Sequence, residues 1–487
     1  MTMATTYSNY VSGRWTASAD GKTFEDVNPA DVRDVVGQFP ASGAADADAA
    51  LAAAENAFPA WRALSGPERG RYLLKAADIL ERRADEVAAD LTREEGKTLV
   101  EAKGETMRAV LIFRYYGMDV YHRTGEVIPS ASAGTLMFTR RVPLGVVALV
   151  TPWNFPIAIP VWKLAPAIAY GNTVVLKPSS LAPLTAHHVA EVLHEAGLPA
   201  GVVNVIHGAG ARFSDALVSP PVKAVSFTGS SEVGRRLAVR AAEQGIKYQL
   251  EMGGKNPVIV LPDANLEQAV ELTISGAFRS AGEKCTATSR AILVGPILSE
   301  FTERLVARVK SLTLGPGTDP ETYLGPVISK SAQEEILAHI ALAKREGGSV
   351  LLGGKAPKGE VFAHGFYIEP TVVGNVTPEM SLAREEVFGP VLAVIGAETF
   401  EQALDLANGV RYGLSASLFT RDLNRVLEYA DRIEAGLVRV NGETAGVEPQ
   451  APFGGFKGSS SYSREQGRAA IEFFTQIKTI YFDRARE

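Results

Sequence analysis

Leu144-Gly-Val-Val-Ala-Leu-Val-Thr-Pro-Trp-Asn-Phe-Pro156 carries an apolar run, Val146 to Val150, that stops abruptly in a proline-rich turn. Five apolar residues bounded by Gly145 and Pro152 are too few for a membrane span, and they show neither helical nor alternating periodicity. They read as a strand buried on both faces. Runs of the same kind follow at Thr173 to Leu176, Val202 to Ile206, Ala224 to Phe227 and Val258 to Leu261, mostly separated by helical stretches. Buried strands alternating with helices predict a parallel sheet in an α/β layer. A second series has strands at Ala291 to Val294, Val391 to Ile395 and Leu437 to Val440. Its helices fall near Leu298 to Leu312, Ala332 to Glu346 and Phe400 to Asn408.

Upstream, Ala47 to Leu64 is alanine-rich, and Pro67 to about Tyr116 has apolar residues at helical spacing, so this portion is expected to be mostly helical. Gly125 to Val142 alternates β-formers around Ser130 to Gly134 and reads as an extended hairpin, whose open edge suits pairing with another subunit. Ile477 to Phe482 reads as a closing strand.

The 487 residues include 49 basic and 55 acidic ones, a formal net charge of −6, with no dense Lys/Arg block. That balance offers nucleic acid no attraction. The N-terminus lacks a basic start and an apolar h-region, and no stretch is long enough to span a membrane, so a cytoplasmic location is expected. A single cysteine excludes an intramolecular disulfide and fits a reducing compartment. Length alone suggests two or three domains.

Four segments carry candidate chemistry. Thr151-Pro-Trp-Asn-Phe-Pro156 leaves the carboxyl end of a buried strand, where open α/β sheets bind ligands, and Asn154 there can offer an amide N–H to an oxyanion. An Asn that satisfies its own turn is the plainer reading. Phe227-Thr-Gly-Ser-Ser-Glu-Val-Gly234 is a strand, a Gly/Ser turn and a helix start, suited to a pyrophosphate, though Ser230 or Ser231 also serves as an ordinary N-cap. Gly208-Ala-Gly210 is half of a dinucleotide fingerprint, with Phe213 where the third glycine belongs. In Leu250-Glu-Met-Gly-Gly-Lys-Asn-Pro257, burial would lift the Glu251 pKa toward that of a working base; a solvated strand end is the alternative. In Phe278-Arg-Ser-Ala-Gly-Glu-Lys-Cys-Thr-Ala-Thr-Ser-Arg290, small neighbours leave room beside the sole cysteine, and adjacent Lys284 is expected to favour the thiolate.

The order and wording of these segments resemble the aldehyde dehydrogenase superfamily over essentially the full length. The match extends to Lys177-Pro-Ser179 and Glu385-Glu-Val-Phe-Gly-Pro390. More narrowly, Gly282-Glu-Lys-Cys-Thr-Ala-Thr-Ser-Arg290 and Gln450-Ala-Pro-Phe-Gly-Gly-Phe-Lys-Gly-Ser-Ser-Ser461 are similar to the 2-oxoglutarate semialdehyde (2,5-dioxopentanoate) dehydrogenases. The resemblance implies an aldehyde dehydrogenase-like α/β fold: a Rossmann-like cofactor domain (1–123 and 143–250), a catalytic domain (251–460) and a small β oligomerisation element (124–142 and 461–487) that makes a homo-oligomer, dimer or tetramer. It implies Cys285 as nucleophile, Asn154 as oxyanion donor, Glu251 as base, and Lys163 and Glu465 as a proton relay. It further implies a dinucleotide contacted by Thr151, Pro152, Trp153, Lys177, Ser180, Gly210, Phe227, Gly229, Ser230, Glu386 and Phe388.

Ser180 stands where many NAD-preferring relatives have a glutamate. A 2′-phosphate would repel that carboxylate, so NADP is expected to be preferred, with NAD as the other cofactor. Arg279 and Trp162 are the substrate-side candidates. Arg279 lies where succinate semialdehyde dehydrogenases carry a carboxylate-gripping arginine, whereas Trp162 replaces their second arginine. The expected substrate is 2-oxoglutarate semialdehyde, with succinate or glutarate semialdehyde, or a broad range of aldehydes, as alternatives.

Three other readings are weighed. A metal site at His187, Glu191 and His194 gives way to a solvated helix face. A cysteine hydrolase would want a histidine base, and none lies in the four motifs. A non-catalytic nucleotide-binding or structural relative has no need of nucleophile, base and oxyanion donor together.

Overall fold

The structure is a computed structural model that describes residues 5–122, 124–208 and 215–485. Its first sheet runs in the spatial order Lys247–Glu251, Val222–Thr228, Val146–Val150, Thr173–Lys177, Val203–Val205, Asn9–Val11 and Arg14–Thr16. The first five strands are parallel, and the N-terminal pair is added antiparallel. Val146–Val150 shows why an unbroken apolar run makes a central strand. Val147 and Leu149 enter a core with the helices of 66–119 and 158–169. Val146, Ala148 and Val150 enter another with Ala44–Ala63 and Ser231–Glu243 on the opposite face. Every side chain of the strand is therefore buried, each stabilising the fold by about 1.5–3 kcal/mol for a residue of valine or leucine size.

The second sheet has the order Ser349–Leu352, Thr371–Gly374, Val391–Ala397, Thr288–Val294, Asn256–Val260, Ser415–Phe419 and Leu437–Val440, antiparallel only at its first pair. Ile259 faces a core with Lys330–Arg345 and Phe400–Asn408, while Val258 and Val260 face Leu266–Phe278 and Ile297–Val309. Strands Lys247–Glu251 and Asn256–Val260 belong to different sheets, and only four residues join them. The carboxyl end of the first sheet is thus brought directly against the second.

The helical stretch from Pro67 to Tyr116 divides into three helices, Gly66–Arg82, Ala84–Glu95 and Leu99–Asp119. Ser65 with Glu68, and Thr98 with Glu101, form reciprocal caps that start the first and last of them. The expected hairpin around 130–134 is present as a short antiparallel pairing of Val127–Ile128 with Leu136–Pro143. The longer strand finds its main partner within the same chain, pairing along its whole length with Thr475–Phe482. Val127, Ile477, Tyr481 and Phe482 remain exposed on this three-stranded sheet. No helix among the described residues is long and apolar enough to cross a membrane.

Candidate active site

Where the two sheets meet, a cavity of about 340 Å³ is lined by residues from all four motifs. They include Trp153 and Asn154 after the first buried strand, Gly229 and Ser230 at a helix start, Gly253 after Glu251, Cys285, and Glu386 with Phe388.

The cysteine loop is tightly constrained. Ser280 and Ala281 (φ 51° and 48°) and Gly282 (φ 70°) form a left-handed run just before it. Asn256 donates both amide hydrogens, to the carbonyls of Cys285 and Ala287 (2.8 Å each), and accepts from the Ser415 amide at 3.0 Å. The two glycines beyond Glu251 are required by close approach. A Cβ on Gly254 would stand 2.5 Å from the Cys285 carbonyl oxygen, and one on Gly253 would stand 2.1 Å from the Glu386 carboxylate. That carboxylate accepts from the Gly254 amide at 2.8 Å.

Cys285 keeps some exposure through the cavity. Burial, followed by the carboxylates of Glu386 and Glu251, pushes its thiol up to about 12, against the pull of the Thr286 and Cys285 amides. Lys284 does not supply the expected help: its ammonium turns to the Ser275 carbonyl (3.3 Å), and burial lowers its own pKa.

Asn154 is buried and donates one amide hydrogen to the Glu283 carbonyl (2.9 Å), which fixes the identity of its nitrogen. Neither the second hydrogen nor Oδ1 has a partner among the described residues. Its loop is held from behind. The Lys97 ammonium donates to the Asn154 carbonyl (2.8 Å) and to Glu105 (2.6 Å), and Glu105 accepts from the Ile157 and Ala158 amides (3.0 and 3.1 Å). The sequence reading missed Lys97, Glu105 and Glu283. Only a buried charge lying far along the chain from its partners marks them. Burial raises the Glu283 pKa well above the carboxylate range.

Glu251 is buried, and burial, then Glu465, raises its pKa well above normal, while Ser460 and Lys163 oppose the rise. One carboxylate oxygen accepts from Ser460 Oγ, and the other has no partner among the described residues. The side chain does not line the cavity; it is turned back toward Lys163 and Glu465. Those two form a buried ion pair, joined by Ser226 Oγ (2.8 Å from Lys163, 3.0 Å from Glu465) and by the Trp162 indole N–H (2.8 Å from Glu465). Trp162 lies against Phe453, ring centroids 5.4 Å apart.

The cofactor candidates divide. Pro152, Trp153, Gly229, Ser230, Glu386 and Phe388 line the cavity. Phe388 takes a strained φ of 53° and meets the Trp153 ring edge-on at 5.6 Å. Burial lowers Lys177 to about 8; among the described residues its ammonium reaches only the Pro178 carbonyl, at 3.2 Å. Thr151 is buried with an unpartnered hydroxyl. Ser180 is half-buried, next to cavity-lining Leu181. Phe227 is buried beneath Gly229, whose added Cβ would meet its ring at 2.7 Å, so it supports the turn from below. Gly210 lies outside the described residues. An under-partnered ammonium, orphaned hydroxyls and an uncovered helix start fit a polar, anionic dinucleotide.

Arg279 does not line the cavity; its guanidinium lies over the Tyr323 ring, 4.8 Å from the centroid. The helix face at 187–194 is not solvated as expected. His187 is buried against Tyr7, Trp15 and His207, and Glu191 pairs with Arg83 and His188.

A thiol and an amide N–H on one crevice, with a buried carboxylate behind it, suit oxidation of a carbonyl through a covalent sulfur adduct. Residues 15–480 match the aldehyde dehydrogenase family. The chain is similar to the alpha-ketoglutaric semialdehyde dehydrogenase of Bacillus subtilis, with 51% identity over 99% of both chains. It is also similar to the alpha-ketoglutarate semialdehyde dehydrogenase of Haloferax volcanii, with 46% identity over 97% of this chain and 98% of that one. Among solved structures, the NAD+ complex of betaine aldehyde dehydrogenase from Staphylococcus aureus superposes with a TM-score of 0.96 at 35% identity, covering 98% and 95% of the two chains. The chain belongs to the aldehyde dehydrogenase family, and it is an NAD(P)-dependent enzyme of that family.

Proposed function

We propose that this enzyme oxidises 2-oxoglutarate semialdehyde (2,5-dioxopentanoate) to 2-oxoglutarate. The observation that carries the chemistry is that the Cys285 sulfur and the free Asn154 amide face one cavity beside the Gly229–Ser230 helix start. The names of two similar relatives, both semialdehyde dehydrogenases, support the substrate.

The Cys285 sulfur attacks the aldehyde carbon, forming a C–S bond. The thiol proton passes to solvent water in the cavity, and the carbonyl oxygen of the thiohemiacetal takes the negative charge, held by Asn154 Nδ2 and the Cys285 amide. When bound, the dinucleotide supplies the acceptor for the aldehyde hydrogen, which leaves a thioester on Cys285. Glu251 rotates from Ser460 toward the cavity and takes a proton from water. The hydroxide displaces the sulfur and releases the carboxylate. Lys163 and Glu465 carry the proton away from Glu251. Thr151, Pro152, Trp153, Lys177, Ser180, Gly210, Phe227, Gly229, Ser230, Glu386 and Phe388 hold the cofactor.

NADP is the preferred form, because Ser180 places no carboxylate beside a 2′-phosphate. The chain works as a homo-oligomer through 124–142 and 461–487. The remaining residues divide into cofactor (1–123, 143–250) and catalytic (251–460) domains, and the lone thiol suits the reducing cytoplasm.

Steady-state kinetics with both cofactors test this on 2-oxoglutarate, succinate and glutarate semialdehydes and neutral aldehydes of equal length. The expected result is the highest kcat/KM for 2-oxoglutarate semialdehyde with NADP. A neutral aldehyde turned over as efficiently would overturn the substrate, and equal or better efficiency with NAD would overturn the preference.

A further inference from the structure

We infer that Arg108, rather than Arg279, grips the carboxylate end of the substrate. The inference rests on the carboxylated semialdehyde proposed above.

Arg108 lies on helix Leu99–Asp119, one turn beyond Glu105, which holds the start of the helix carrying Trp162. The positions three, seven and ten residues further on are Leu111, Tyr115 and Met118. They continue the same helix face and, with Pro449 and Gln450, line a shallow groove of about 350 Å³. The opposite wall is therefore the loop that begins at Thr444. Its hydroxyl donates to the Thr286 carbonyl (2.7 Å), next to the nucleophile, and the loop ends at Phe453 against Trp162. The cavity that holds Cys285 and the cofactor candidates takes no residue from this helix or this loop, which leaves the space between them for a chain-like aldehyde to enter.

Arg108 is partly buried, yet it has no hydrogen-bond or ion-pair partner among the described residues. Burial lowers its pKa, and Glu105 and Glu448 are the acids that act on it. Glu105 is already committed to Lys97 and two helix amides. Glu448 is exposed and bound to Gln450. A partly desolvated guanidinium without its own anion is a receptor for a carboxylate, which it can hold by two parallel N–H bonds. Arg279 already lies over Tyr323.

The test compares kcat/KM for 2-oxoglutarate semialdehyde and for pentanal in the wild type and in Arg108→Met, Arg108→Lys and Arg279→Met. Arg108→Met is expected to lower the acidic-to-neutral ratio about 10- to 100-fold, mostly through KM. Arg108→Lys should recover part of it, and Arg279→Met should leave the ratio within about threefold of wild type. Retained pentanal turnover shows that the variants fold. A wild type indifferent to the carboxylate sinks the substrate reading. A wild-type preference that survives Arg108→Met, or one that falls with Arg279→Met instead, sinks the Arg108 assignment alone.

Discussion

Two buried lysine–glutamate pairs stand behind the two working residues, Lys97–Glu105 behind Asn154 and Lys163–Glu465 behind Glu251. Their surroundings give them different work. Lys97 and Glu105 spend their bonds on backbone, the Asn154 carbonyl and the first amides of the following helix. Burial alone would lower the Lys97 pKa, but Glu105 and Glu95 outweigh it and raise it, so the ammonium is held charged and acts as a bracket. Lys163 and Glu465 spend theirs on side chains, Ser226 and Trp162, and both act electrostatically on Glu251 with opposite sign. One pair therefore holds a shape, and the other sets the readiness of a base.

The comparison breaks most visibly at the residues it serves. Glu251→Gln is expected to slow turnover about 10²- to 10⁴-fold while keeping a stoichiometric burst of reduced cofactor, because only deacylation needs the base. Asn154→Ala is expected to cost about 10²- to 10³-fold and to abolish the burst, since it removes the oxyanion donor. A burst surviving in Asn154→Ala but lost in Glu251→Gln would reverse the assignments.

Lys97→Met is expected to destabilise the fold by about 3–5 kcal/mol, because it strands the Glu105 charge in the interior. Thermal unfolding measures this, and an unchanged Tm would remove the bracket from the account. The pH dependence of single-turnover deacylation sharpens the contrast further. Lys163 lowers the Glu251 pKa and Glu465 raises it, so Lys163→Met should move the ascending limb to higher pH and Glu465→Gln to lower pH. Lys97→Met should leave the limb in place; if it moves with the Lys163 variant, the two pairs do the same work. Ser460→Ala, which takes a hydrogen bond from Glu251, should shift the limb upward by less than about one unit.

The readable parts of the sequence were those whose cause is local. Val146–Val150 and Phe400–Asn408 coincide with their expected spans, because an unbroken apolar run and a regular helical period need no distant partner to be recognised. Lys247–Glu251 is a strand that the reading did not name. Its lysine, tyrosine and glutamine look polar, and its edge position in the sheet is set by Val222–Thr228. The break at Arg83 was hidden because no glycine or proline marks it. Cys285, Glu251 and Asn154 stood out through motif wording. Glu105 and Arg108 lie on a helix whose local pattern is ordinary, Lys97 lies in the short link before it, and only the packing of Leu99–Asp119 against Ala158–Ala169 and the 444–452 loop gives them meaning.

The Asn256 clasp has one more consequence. With the carbonyls of Cys285 and Ala287 both tied to one amide that has no hydrogen left, and its oxygen given to Ser415, the peptide planes around the nucleophile have no slack. The acyl cargo must then be carried by rotation about the side-chain bonds of Cys285, Cα–Cβ and Cβ–Sγ, and not by movement of the backbone. Swings about those bonds move the reacting carbon from where it loses its hydrogen to where it meets water.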